Sequence, residues 1–199
     1  MSRVASAVLF VLVLASGGPA RADGDAFFGL GFGPGRMAGA LAEQFSGGSG
    51  LRFRLGFRGR RFGSELGISI GDVDTTRDLD TAIMYAYRPA ATFYALDGRT
   101  FQLLARAGLG FGAISGTRMT EVACELAEEC VTKSSQQQVR YPGASLDAGL
   151  TAQVHLGRDI RHVMLWIDVG TSLTRHQIDG TTTSGRTYEL TIGIANAFH

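Results

Sequence analysis

Long apolar runs are scarce in this chain, and so are proline, cysteine and any excess of one charge. Beyond the first two dozen residues no segment holds the roughly 20 successive apolar residues that a transmembrane helix needs, which excludes a helical membrane protein. Lys and Arg number 19 against 18 Asp and Glu, a net charge of +1, and the arginines are scattered. No field of one sign is available to gather nucleic acid, so no nucleic-acid partner is expected. Pro occurs 4 times against 28 Gly, which points away from a disordered Pro-rich chain and towards Gly inside regular structure. Two cysteines without a neighbouring His make a poor metal site, and no metal or other cofactor is expected.

The N-terminus reads as an export signal. Arg3 gives a positive start, Val4 to Ala15 is apolar but for Ser6, and Gly17, Gly18 and Pro19 break any helix. Ala20-Arg21-Ala22 then fits the small-x-small rule for signal peptidase, so 1–22 is expected to be cleaved and 23–199 to be the mature domain. About 12 apolar residues are too few to cross a bilayer. No Cys follows the run, so a lipoprotein anchor is not expected. In the oxidising space beyond the inner membrane, Cys124 and Cys130 are expected to form a disulfide that staples one loop.

The dominant pattern has period two, the mark of strands. Phe28, Leu30 and Phe32 alternate with glycines; Leu51, Phe53, Leu55 and Phe57 alternate with Arg52, Arg54, Gly56 and Arg58. The same alternation runs through 65–71, 101–112, 145–156, 163–170 and 188–195, and a less regular strand lies around Ile83, Tyr85 and Tyr87. The count is eight. Short links near 59–61, 97–99 and 157–161 alternate with long ones near 34–50, 72–79, 114–143 and 174–186. An up-and-down meander of that kind gathers short turns, and both termini, at one end. Two details of register are open to test. A two-residue turn at Gly59-Arg60 would set Arg54 opposite Glu65. A two-residue turn at Asp97-Gly98 would turn Tyr94 to the apolar face and require a bulge near Pro89 to rescue Tyr85 and Tyr87, leaving the facing of Arg88 open.

Two features place the apolar face outward, in lipid. The opposite face is rich in Gly, which weakens a solvated strand but makes room for long side chains inside a narrow barrel. That face also carries Arg52, Arg54, Arg58 and Arg106 against Glu65, Asp147, Asp168 and Glu189, a balanced set able to pair within a lumen. The expected fold is all-β, an eight-stranded antiparallel up-and-down transmembrane β-barrel. With its final Tyr188, Leu190, Ile192, Ile194 and Phe198, the chain resembles small Gram-negative outer-membrane barrels of the OmpA/OmpX type. The resemblance implies residence in the outer membrane among lipid and lipopolysaccharide, passage with periplasmic chaperones, and insertion by the barrel-assembly machinery. That machinery reads the last strand, usually ending on Phe; here Phe198 is penultimate, His199 follows, and Asn196 interrupts the apolar series.

The resemblance also brings functional alternatives: a narrow channel for small solutes, and an enzyme acting on lipopolysaccharide. Hydrolysis would need a Ser, a His and an acid within reach of one another. Ser172 with His176 is one candidate pair, and Ser145, His155 and His162 complete the set, but no motif joins them. The enzyme reading is therefore set aside in favour of a non-enzymatic envelope protein with a filled polar lumen and surface loops. The Gly-rich stretches 29–35 and 107–116 continue strands and lack a following Lys-Ser/Thr, so they are not phosphate loops. The loop 114–143, with Glu121, Glu125, Glu128 and Glu129, reads as a solvated surface loop; a divalent-cation patch is its sharper alternative, without regular ligand spacing. Phe198→Ala is expected to slow insertion, seen as later appearance of the heat-modifiable band on gels during assembly into bilayers. An unchanged rate would remove the signal role.

Overall fold

A computed structural model describes residues 25–77, 79–98, 100–121, 134–156 and 163–198. The export signal 1–22, Cys124, Cys130, Glu125, Glu128, Glu129, His162 and His199 lie outside the described residues. The strands are β1 Asp25–Ala38, β2 Phe45–Arg58, β3 Phe62–Asp72, β4 Asp74–Thr75, β5 Thr81–Asp97, β6 Phe101–Glu121, β7 Ser134–His155, β8 Val163–Ile178 and β9 Thr181–Phe198. β4 is a two-residue addition to the end of β2. The other eight form a closed antiparallel ring, because β1 pairs with β2 on one side and with β9 on the other. Closure satisfies both edges, as a sheet in hydrocarbon requires.

The register fixes the shape. Paired residues lead from Asp25 through Arg58, Gly63, Thr92, Arg106, Gly149, Gly170 and Glu189 back to β1 at Gly35. The circuit rises ten residues along β1, the shear of the ring. Ten residues at about 3.3 Å, over eight spacings of about 4.8 Å, tilt the strands by about 40°. A ring of this size is just wide enough for its own inward side chains.

Outside, Phe32, Leu55, Leu150, Val169, Ile192 and their neighbours on every strand of the ring are exposed. So continuous an apolar belt has no place on a soluble protein. On β9 the belt runs from Tyr188 to Phe198, which at the same rise and tilt is a height of about 25 Å, the span of a lipid-facing band. Aromatic rings gather at its lower edge, where Phe62 and Phe93 lie with centroids 5.3 Å apart. Glu189, Thr191 and Gly193 of the same strand turn inward.

Several connections differ from the sequence reading. Strands continue well past the apolar belt, so 34–50 contracts to a short link holding the 3-10 turn Ala40–Glu43, and β6 and β7 stay paired out to Glu121 and Ser134. The expected long loop 174–186 is instead a tight hairpin. Ile178 pairs with Thr181 around Asp179 and Gly180, whose φ values of 48° and 80° are those of a type I′ turn. At the other end, the turn after β2 centres on Arg60-Arg61, with Gly59 N–H bonded to the Phe62 carbonyl at 2.9 Å. Arg54 therefore stands opposite Gly67, two residues from the expected register, which leaves every facing unchanged. On β5 the bulge falls between Tyr94 and Leu96, below Pro89, so Ile83, Tyr87 and Phe93 all face lipid while Arg88 and Tyr94 face inward.

Leu55 sits near mid-height of the belt on β2 and is 45 % exposed. Leu55→Arg is expected to cost about 2–4 kcal/mol in urea titrations of the folded protein in bilayers. A negligible cost would contradict the outward facing.

Candidate functional site

Among the described residues, the buried charged side chains are collected in the interior of the ring. Each arrives by strand alternation: even positions on β2, β5, β6 and β8 and odd positions on β3, β7 and β9 point inward. At mid-height Arg106 grips Asp168 with two bonds, Nε to Oδ1 at 3.0 Å and Nη2 to Oδ2 at 2.6 Å. Arg52 reaches the same carboxylate at 3.0 Å and lies 3.6 Å from Glu189 and 3.8 Å from Glu65. Thr151 donates its hydroxyl to Asp168. Arg54 is bonded to Glu65, and Arg88 holds Glu189 through both terminal nitrogens while its Nε lies 3.8 Å from Asp147. Asp147 also accepts the hydroxyls of Ser145, at 2.9 Å, and Ser172.

Four arginines thus meet four carboxylates, and the members are not quite those read from the sequence. Arg88 belongs to the central set. Arg58 stands apart at the lower mouth, where it is bonded to Asp97 and lies over the Tyr94 ring at 5.1 Å. The other seven sequence-derived members come together as a continuous layer. An unpaired charge in such a place costs several kcal/mol, and interlocking forks remove that penalty.

Apolar layers close the charge layer above and below. Above it Met37, Leu41, Phe45, Val73, Leu79, Ala82, Ile114, Tyr141 and Ile178 form a buried cluster. The 3-10 turn drops Leu41 into it, and Phe45 lies against Tyr141 at 6.0 Å. Below the charges Phe27, Met164, Trp166 and Ala195 pack together. The Arg54 guanidinium lies between Trp166 and Phe27, 4.7 and 5.7 Å from their ring centroids. Trp166 is fully buried and faces the arginine with its ring. The inward glycines give these large groups their space. A Cβ on Gly31 or Gly193 would come within 2.5 Å of the Trp166 ring, and one on Gly170 within 2.6 Å of Arg106.

Of the hydrolytic candidates, Ser145 and Ser172 meet on Asp147, but Ser172 and His176 do not meet. Ser172 is bound to Asp147, and the His176 Nδ1 meets the Tyr141 carbonyl at 3.1 Å. Four residues of extended strand separate the two by about 13 Å. His155 points into the lower end of the ring, far from either.

No family model matches this chain, and no curated protein matches it in sequence. Solved structures do match its shape. A major outer membrane protein from Thermus thermophilus aligns with TM-score 0.57 and 14% identity over 87% of this chain and 99% of that one. Neisserial surface protein A aligns with TM-score 0.54 and 13% identity over 87% and 97% of the two chains. The outer membrane protein OprG from Pseudomonas aeruginosa aligns with TM-score 0.52 and 12% identity over 88% and 96%. The chain has the fold of the small eight-stranded outer-membrane barrels. The apolar belt puts that barrel in a membrane, and the charge layer is its inner filling.

Arg106→Leu leaves Asp168 with one guanidinium fewer in a dry site. The expected loss is about 3–5 kcal/mol, read from the urea midpoint of the bilayer-inserted protein. A loss below about 1 kcal/mol would mean that the layer is hydrated.

Proposed function

We propose that this chain is an outer-membrane barrel whose lumen passes no solute and whose role in the envelope is structural and interactive, carried by its outer surface. The observation that supports it best is the stack of layers: an apolar cluster, interlocked ion pairs, and a second apolar cluster held under Arg54. A solute on the axis would have to break all three. The short links after β2 and β5 share an end with Asp25 and Phe198, and in barrels of this kind that end lies in the periplasm. The linking segments 39–44 and 73–80 and the tall β6–β7 hairpin then face outward, where a partner can reach them.

In this reading residues 1–22 direct export, chaperones carry the chain, and Tyr188, Leu190, Ile192, Ile194 and Phe198 present the assembly signal. All five side chains are exposed on the lipid face of the closing strand, accessible before the ring is sealed. Cys124 and Cys130 staple the outer loop between β6 and β7. The protein is not an enzyme in this reading, since Ser172 and His176 are each engaged elsewhere.

A narrow channel is the second reading, and one observation favours it. Beneath the upper cap lies a cavity of about 60 Å³ lined among others by Arg52, Ser69, Thr187, Glu189 and Thr191. At about 10–15 Å³ each, roughly four to six waters fit there. Conductance in planar bilayers separates the two. The closed barrel is expected to give no steady openings above the bilayer background, and reproducible single-channel steps would establish the channel instead.

A further inference from the structure

Three arginines point outward at the upper edge of the apolar belt: Arg175 on β8, Arg186 on β9 and Arg36 on β1, all exposed. Their strands are adjacent. Arg175 pairs in register with Ser184, two residues from Arg186, and Arg186 pairs with Ala38, two residues from Arg36. Each arginine is therefore the diagonal neighbour of the next, at about 7–8 Å. The strand tilt brings all three to nearly one height. None of the three forms an ion pair among the described residues. The outward positions of β8, β9 and β1 carry no Asp or Glu at all. Asp179, at the hairpin tip beside them, is taken by Arg77.

Like charges set side by side repel, and no carboxylate among the described residues pairs with these three. Directly below them the surface is apolar: Leu173 pairs with Arg186, Tyr188 pairs with Arg36, and Leu190 and Ile192 follow. An anionic head above hydrocarbon tails matches that surface in both its halves. A phosphate suits it best, because guanidinium forks bind phosphate oxygens in pairs.

We propose that Arg36, Arg175 and Arg186 bind the phosphate groups of an outer-leaflet lipid whose acyl chains lie against Leu173, Tyr188 and Leu190. This rests on the reading that the chain is a membrane barrel with this end outward. The site supplies an anchor between the barrel and its surrounding leaflet, and it lies on the side where β9 closes against β1.

The test uses the full chain folded in zwitterionic detergent micelles, titrated with diphosphoryl lipid A and read by native mass spectrometry. The wild type is expected to retain lipid A, with the dissociation constant raised at least about 10-fold in R36Q/R175Q/R186Q. The control R60Q/R61Q, at the opposite end, is expected to bind as the wild type does. Lipid A stripped of its phosphates is expected to bind the wild type no better than intact lipid A binds the triple variant. Equal affinity of wild type and triple variant, or of the two lipids, would overturn the proposal. So would full displacement by millimolar inorganic phosphate, which would make this a site for the free anion. If the triple variant does not fold, R186Q, the central position, decides by the same comparison. A wild-type chain without heat-modifiable migration would defeat the barrel reading itself, which is a different outcome from a folded barrel that ignores lipid A.

Discussion

Charge compensation inside a tube little wider than two side chains is the constraint on which this structure depends. Eight strands with a shear of ten residues leave no aqueous core in which an arginine can be solvated by bulk water. Every inward charge must find its counter-charge across the ring. Arg106 on β6 reaches Asp168 on β8, Arg88 on β5 reaches Glu189 on β9, and Arg52 on β2 links Asp168 to Glu189. These pairs tie strands that share no backbone hydrogen bonds. Ring closure brings them within reach, and they in turn favour one register over its neighbours.

The two faces of each strand answer to different solvents. Outside, lipid accepts any apolar side chain, so that face specifies little beyond apolarity and aromatic edges. Inside, shape matters at each position. Glycine at 31, 149, 170 and 193 leaves the space that Trp166 and Arg106 occupy. The high glycine count is thus the complement of a few large inward groups, and the same economy of space leaves little room for water among the ion pairs.

Much of this is legible in the sequence, and the failures have physical causes. Period two yields the strand count and the facing, because lipid and a narrow lumen impose opposite demands on successive residues. Strand ends are misjudged where that contrast fades. Above the belt Gln136, Gln137 and Gln138 are exposed on both faces of β7, so this stretch reads as loop although it is paired throughout. The hairpin at Asp179-Gly180 carries an explicit turn signal, hidden because its flanks of Thr, Ser and Gln lack an apolar face. Arg88 is undecided in the sequence because its facing is set by a bulge between Tyr94 and Leu96, beyond Pro89, and because Asp97 pairs with Gln102 instead of forming the turn itself. The apolar cap escapes a sequence reading altogether: Met37, Leu41, Phe45 and Ile178 belong to stretches that look like connections, and only closure of the ring gathers them.

In the function proposed above, a barrel filled in this way leaves its outer surface for function, in the segments that rise from the upper end and in the rim where protein meets leaflet. That account stands on Arg88 and Glu189 being a dry, mutually dependent pair. The most direct measurement is a double-mutant cycle on Arg88→Met and Glu189→Met, read from urea unfolding in bilayers. A dry pair is expected to show a coupling of about 2–3 kcal/mol, with the double variant more stable than the two single losses predict. Additive losses within about 0.5 kcal/mol would mean that the two charges are separately hydrated and that the lumen is open to water.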